Sequence, residues 1–94
     1  MEREVKIGGI YRHFKGNIYQ VLGTGTNTET NETMVIYTRY HSDKEDVYEY
    51  KIWLRPYNQF LSEVDTIKYP NCKQKYRFEY LHDYFDKYIK EEQM

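Results

Sequence analysis

The chain has 94 residues, enough for one compact domain and too few for two ordinary ones. Its 14 basic and 15 acidic side chains leave a net charge of -1, so no whole-molecule field draws it to nucleic acid or to an anionic membrane, and any polyanion site has to be a local patch. Aromatic residues make up 18% of the chain (12 Tyr, 4 Phe and 1 Trp), a supply of large rings that argues against disorder.

Residues 9 to 14 are short, aromatic and β-branched, and Lys15-Gly16-Asn17 supplies a turn with a glycine free to take positive φ. The pattern predicts strand, tight turn, strand. The second strand runs from Ile18 to about Thr26, with Gly23 and Gly25 on one face, where they ease the bending that a small barrel needs. Thr26 to Thr33 is a polar Asn/Thr-rich run, expected as a hairpin tip, and Asn31-Glu32-Thr33 is read there as turn chemistry rather than as a glycosylation site.

Met34 to His41 alternates, placing Val35, Tyr37, Arg39 and His41 on one face. Ser42 to Asp46 is a charged loop, and Tyr48 to Arg55 alternates again until Pro56 ends the ladder. Tyr57 to Phe60 has the length of one helical turn, and Leu61 to Asp65 is expected as a last short strand. Five short strands with a one-turn link before the last follow the element order of SH3-like barrels. Oligonucleotide-binding barrels usually carry a helix between their third and fourth strands, and Ser42 to Asp46 is too short for one.

Beyond Pro70 the period changes. Asn71 is placed to cap a helix, with Gln74 three residues on, and Phe78, Leu81, Tyr84, Phe85, Tyr88 and Ile89 recur at three and four residues. The expected architecture is one mainly β domain spanning 1–94, with an SH3-like barrel over 5–66 and an amphipathic helix over 71–91. Leu81, Tyr84, Phe85 and Tyr88 on that helix are the expected contacts of a homodimer.

Tyr11 to Gly16 (YRHFKG), Tyr19 to Gly23 (YQVLG), Thr28-Glu29-Thr30, Val35-Ile36-Tyr37 and Trp53 to Pro56 (WLRP) stand in an ordered series. In that series the chain resembles a family of short bacterial proteins classed as a domain of unknown function, with the pattern YRHFKG, YxVLG, HTET or HSET, VVY and WVRP. The resemblance covers residues 9 to 64 and implies a small SH3-like barrel and no assigned activity. Asn27 stands where the family often has His, which weakens a two-histidine metal site.

The blocks carrying the resemblance hold the candidate rim: Tyr11, His13, Glu29, Trp53 and Arg55. A His13–Glu29 pair would do acid–base work, with Arg55 as an anion anchor, if the fold brought them together; the plainer alternative is that each bonds to nearby backbone. His13, His41, His82 and Cys72 lack the spacing of structural zinc sites, so no metal or other cofactor is expected. Gly23-Thr24-Gly25 lacks the further glycine and the helix start of a phosphate cradle.

From Lys68 to Arg77 the chain carries Lys68, Lys73, Lys75 and Arg77 with no acid, interleaved with Tyr69 and Tyr76, a combination that holds phosphates while bases stack. The commoner outcome of such a run is a solvated surface, so nucleic acid is not the favoured partner. The single Cys72, the charged first residues and the lack of a roughly 20-residue apolar span predict a cytoplasmic protein without a membrane segment. The functional expectation is a non-catalytic binding module, with the His13–Glu29 enzyme and the Lys68–Arg77 nucleic-acid module as alternatives.

Overall fold

The structure is a computed structural model and describes residues 3–40 and 51–83. Five strands and one helical turn follow along the chain: β1 (Gly9–His13), β2 (Ile18–Thr26), β3 (Thr33–Arg39), β4 (Ile52–Pro56), α1 (Tyr57–Phe60) and β5 (Phe78–Asp83). They form one antiparallel sheet in the order β4-β3-β2-β1-β5. No helix among the described residues is long and apolar enough to cross a membrane.

The β1–β2 turn forms as the sequence predicts. Gly16 takes φ +109°, its N–H donates to the His13 carbonyl, and the His13 N–H donates to the Asn17 carbonyl. The β2–β3 hairpin closes through Asn27, whose Oδ1 accepts from the Glu29 N–H at 3.0 Å. The β2–β3 register shifts between Val21 and Gly23, and an extra residue in one strand raises the local twist. At Gly25 a Cβ would stand 3.3 Å from Ile36 Cδ1, so the glycine there also admits a close side chain.

Alternation puts Tyr11, Val21, Val35 and Tyr37 on one face, where they are buried with Phe60 and Phe78. The rings meet edge to face, except that Phe60 and Phe78 lie stacked with centroids 4.1 Å apart. Tyr11 belongs to this core rather than to the expected rim. Its Oη accepts from the Lys6 N–H at 2.9 Å, and burial raises its pKa above the usual tyrosine value.

Three expectations are corrected. The sheet does not close into a barrel, since β4 and β5 are its two edges. Between those edges stand α1 and a strap in which Ser62–Val64 pairs with Lys75–Arg77, Arg77 N–H donating to the Ser62 carbonyl and Val64 N–H to the Lys75 carbonyl. Secondly, Leu61–Asp65 supplies only that isolated pairing, and the fifth strand lies at Phe78–Asp83.

Thirdly, residues 71–83 do not form the start of a helix; the expected residues 84–91, with Tyr84, Phe85 and Tyr88, lie outside the described residues. The helical period competed with a long-range requirement and lost. β1 would otherwise carry a row of unpaired N–H and C=O groups beside the core, and β5 satisfies it over five paired positions while delivering Phe78 into the gap against Phe60. Arg3 fixes this arrangement from outside, donating from Nη1 to the Leu61 carbonyl and from Nη2 to the Phe78 carbonyl, with its guanidinium 3.7 Å over the Tyr76 ring.

Phe78→Ala should therefore lower stability by about 3–5 kcal/mol in urea unfolding, the usual loss for a buried Phe. Leu81→Ala, at a position 37% exposed, should cost under about 1 kcal/mol. Equal losses at both positions would contradict the strand assignment.

Candidate functional site

On the core-facing side of the sheet, beyond the buried rings, lies a cavity of about 490 Å³. Three structural features converge on it. The β1–β2 turn contributes His13, Phe14 and Lys15; β4 contributes Trp53 and Arg55; the strap between α1 and β5 contributes Asp65, Lys68, Tyr69 and Arg77.

The orientation of β4 is set by register rather than by hydrophobicity. Trp53 stands opposite Tyr37 and Arg55 opposite Val35, so both share the face of the buried β3 residues. The aliphatic pair Ile52 and Leu54 is consequently turned outward, 54% and 62% exposed. Inside, Arg55 Nε donates to Tyr37 Oη at 3.3 Å, and the guanidinium carbon lies 5.8 Å from the centre of the Phe78 ring.

Arg77 Nε donates to Ser62 Oγ at 3.2 Å, and Lys15 Nζ and Lys68 Nζ lie over the Tyr69 ring at 5.7 and 5.6 Å. The cavity thus gathers four cationic side chains, Lys15, Arg55, Lys68 and Arg77, and no carboxylate pairs with any of them among the described residues. The one acid on its wall, Asp65, turns Oδ1 to the Ile67 and Lys68 N–H groups at 3.0 and 3.2 Å, holding the strap's turn.

His13 sits among these charges as a neutral ring. Burial, then Arg55, Arg77 and Lys15, lowers its pKa to about 4. Its Nδ1 accepts from the Lys15 N–H at 3.1 Å, which places the neutral ring's proton on Nε2. The His13 ring packs against Phe14 at 4.6 Å and edge-on to Phe78 at 4.9 Å, and Phe14 meets Tyr69 at 4.8 Å. Trp53 Nε1 is buried without a hydrogen-bond partner among the described residues.

Of the residues expected at the rim, the fold brings together His13, Trp53 and Arg55 and leaves two elsewhere. Tyr11 is in the core. Glu29 lies at the β2–β3 tip, whereas His13 adjoins the opposite end of β2, roughly 25 Å away along a strand rising about 3.3 Å per residue. Acid–base work by a His13–Glu29 pair needs hydrogen-bond reach and has no geometric basis here.

The Lys68–Arg77 run divides. Lys68 and Arg77 line the cavity with His13 and Arg55, Lys73 lines the adjoining hollow, and Lys75 pairs with Glu63 at 3.8 Å. Leu81, expected on a dimer face, is on β5. Among the described residues no group of His, Cys, Asp or Glu could hold a metal.

Sequence reasoning missed the aromatic wall formed by Phe14, Tyr19, Tyr37 and Tyr69. Tyr19 and Tyr37 carried a signal, since each is two residues from a buried valine on an alternating strand. Tyr69 carried none, being placed by the irregular strap.

The family model described as "Protein of unknown function (DUF1653)" matches residues 9–80. The chain belongs to that family. Among solved structures it is similar to a DUF1653 protein from Bordetella bronchiseptica, with 29% identity and a TM-score of 0.61 over 87% of this chain and 90% of the other. No curated protein matches it. The span matched by the DUF1653 model includes every element described here except the last residues of β5, and with them the whole cavity.

The unfolded chain protonates His13 from pH 6.5 downward and the folded chain only near pH 4, so the folded state loses stability as pH falls through that interval and loses no more of it below. In an NMR titration the His13 ring resonances should stay flat from pH 8 to about 5. Arg55→Met should move the midpoint upward; a midpoint at the ordinary 6.5 in the parent protein would contradict the ring's burial beside the cation cluster.

Proposed function

We propose that this DUF1653 protein is a non-catalytic binding module whose cavity between β4, the β1–β2 turn and the strap holds an anionic ligand. The observation that carries the reading is the set of four cations, none paired with a carboxylate among the described residues, around a neutral histidine. Solvated ion pairs would have been the cheap way to settle those charges, yet the nearby carboxylates are engaged elsewhere: Asp65 with backbone N–H groups, Glu63 with Lys75 and Glu79 with Arg12.

Arg55 and Arg77 each use Nε internally, an arrangement that orients the guanidinium while leaving its terminal nitrogens for a two-point contact with carboxylate or phosphate. His13 Nε2–H adds a neutral donor that does not repel the cations beside it. The cavity's volume is within the range of pockets that hold small molecules, and its rings offer flat apolar surface beside the charges.

On this reading the sheet is an SH3-like arrangement opened between β4 and β5, with the strap standing where the barrel would close. The strand order and the one-turn α1 before the last strand support it.

The test is titration with inorganic phosphate and pyrophosphate, followed by amide shifts and by the fluorescence of the single tryptophan, Trp53. Shifts should centre on His13, Lys15, Arg55 and Arg77. Arg55→Met should weaken binding about 10–100-fold, the worth of a charge-assisted hydrogen bond of about 1.5–3 kcal/mol, and Arg55→Lys should recover only part of it. Saturating shifts confined to other residues would sink the proposal.

A further inference from the structure

The cavity does not stand alone. A second hollow of about 520 Å³ shares Phe14, Lys15, Lys68 and Tyr69 with it, and a third of about 720 Å³ shares His13 and Phe14 with the first and Lys73 and Gln74 with the second. All three meet at Phe14. The hollows are therefore neighbours around one ring, joined by shared walls.

Charge follows the same path. Lys15 and Lys68 stand between the first and second hollows and Lys73 between the second and third; Lys73 is exposed and has no ion-pair partner among the described residues. With Arg55 and Arg77 this makes five cations without carboxylate partners among the described residues. Arg12 and Lys75 on the third hollow are offset by Glu79 at 2.6 Å and Glu63 at 3.8 Å. Rings alternate with the charges: Trp53 in the first hollow, Phe14 and Tyr69 at the first junction, Tyr76 in the third.

Resting on the anion-site reading, we infer that the three hollows form one track for single-stranded nucleic acid, with a base against the Phe14–Tyr69 pair and successive phosphates at Arg55/Arg77, Lys15/Lys68 and Lys73. A single nucleotide brings one phosphate group and one base, too little to use five cations and four rings spread over three hollows. An acidic peptide would match the cations but has no use for flat apolar faces between them. A strand of alternating phosphates and bases uses both, since every base has a face that stacks on an aromatic ring.

Salt dependence separates a strand from a single nucleotide. Engaging about three phosphates of a single strand gives a slope near -0.7 per phosphate in log affinity against log salt, so affinity should fall about 18-fold between 50 and 200 mM salt; one phosphate gives about 2.6-fold.

The experiment titrates the full chain with four probes: inorganic phosphate, uridine monophosphate, the hexanucleotide U6 and hexaglutamate, at both salt concentrations, following Trp53 fluorescence and amide shifts. The track predicts that U6 binds at least tenfold tighter than the mononucleotide and perturbs Phe14, Tyr69 and Lys73. Lys73→Ala, at an exposed position that folding does not need, should weaken U6 about threefold or more and flatten its salt slope by about 0.7, leaving the mononucleotide unchanged.

Equal affinity for U6 and the mononucleotide, with no effect of Lys73→Ala, would overturn the track while leaving the anion site in place. Hexaglutamate matching U6 would overturn it in favour of an acidic peptide. If none of the four, phosphate included, perturbs the cavity, the anion-site reading fails as well.

Discussion

The Phe78 ring lies flat on Phe60 with its plane within 9° of the partner's, and its edges meet His13, Tyr19 and Tyr37 at 4.9 to 5.8 Å. Through Phe60 it docks α1, through its own backbone it is the first pairing of β5 with β1, and through Tyr37 it reaches β3. The other side of the same ring floors the cavity, where Arg55 stands above it. Core packing and site geometry are thus one problem: whatever displaces Phe78 releases an edge strand and the surface under the guanidinium together.

On that apolar floor the fold maintains an electrostatic imbalance. Like charges that pair with no carboxylate among the described residues repel and oppose compaction, so a purely stability-selected surface would intersperse carboxylates among them. Arg3 shows the alternative: its guanidinium satisfies two carbonyls and a tyrosine face, and it locks the strap to β5. At the cavity the corresponding groups are held by one internal bond each and left unfinished. His13 relieves part of the strain by staying neutral, its pKa lowered by burial first and then by Arg55, Arg77 and Lys15.

Much of the sheet was legible because its signals are local. Gly16 needs positive φ in the β1–β2 turn, Val35 and Tyr37 alternate into the core, and Pro56 ends β4. Those same strands deliver His13, Trp53 and Arg55 to the cavity's lining, where the sequence blocks had grouped them. Phe78–Asp83 could not. Its aromatic residues fit a helical period and a strand period alike, and the deciding factor was a vacant edge on β1, some 65 residues earlier in the chain. The strap that supplies Tyr69 and Arg77 has no periodicity to read, and Glu29 was misplaced because two residues in matching sequence blocks sit at opposite ends of one strand.

The net charge of -1 concealed the cation cluster for a related reason. A whole-chain sum weighs every residue equally, whereas the field inside the cavity is set by charges within about a Debye length, about 8 Å at physiological ionic strength. Glu29 and Glu32 at the β2–β3 tip lie several such lengths from His13, and Glu79 and Glu63 are engaged by Arg12 and Lys75. Subtracting those acids from the cations at the cavity cancels terms that do not meet in space. What governs the local field is the placement of Lys15 on the turn, Arg55 on β4 and Lys68 and Arg77 on the strap, four residues from three chain segments that only the folded sheet assembles.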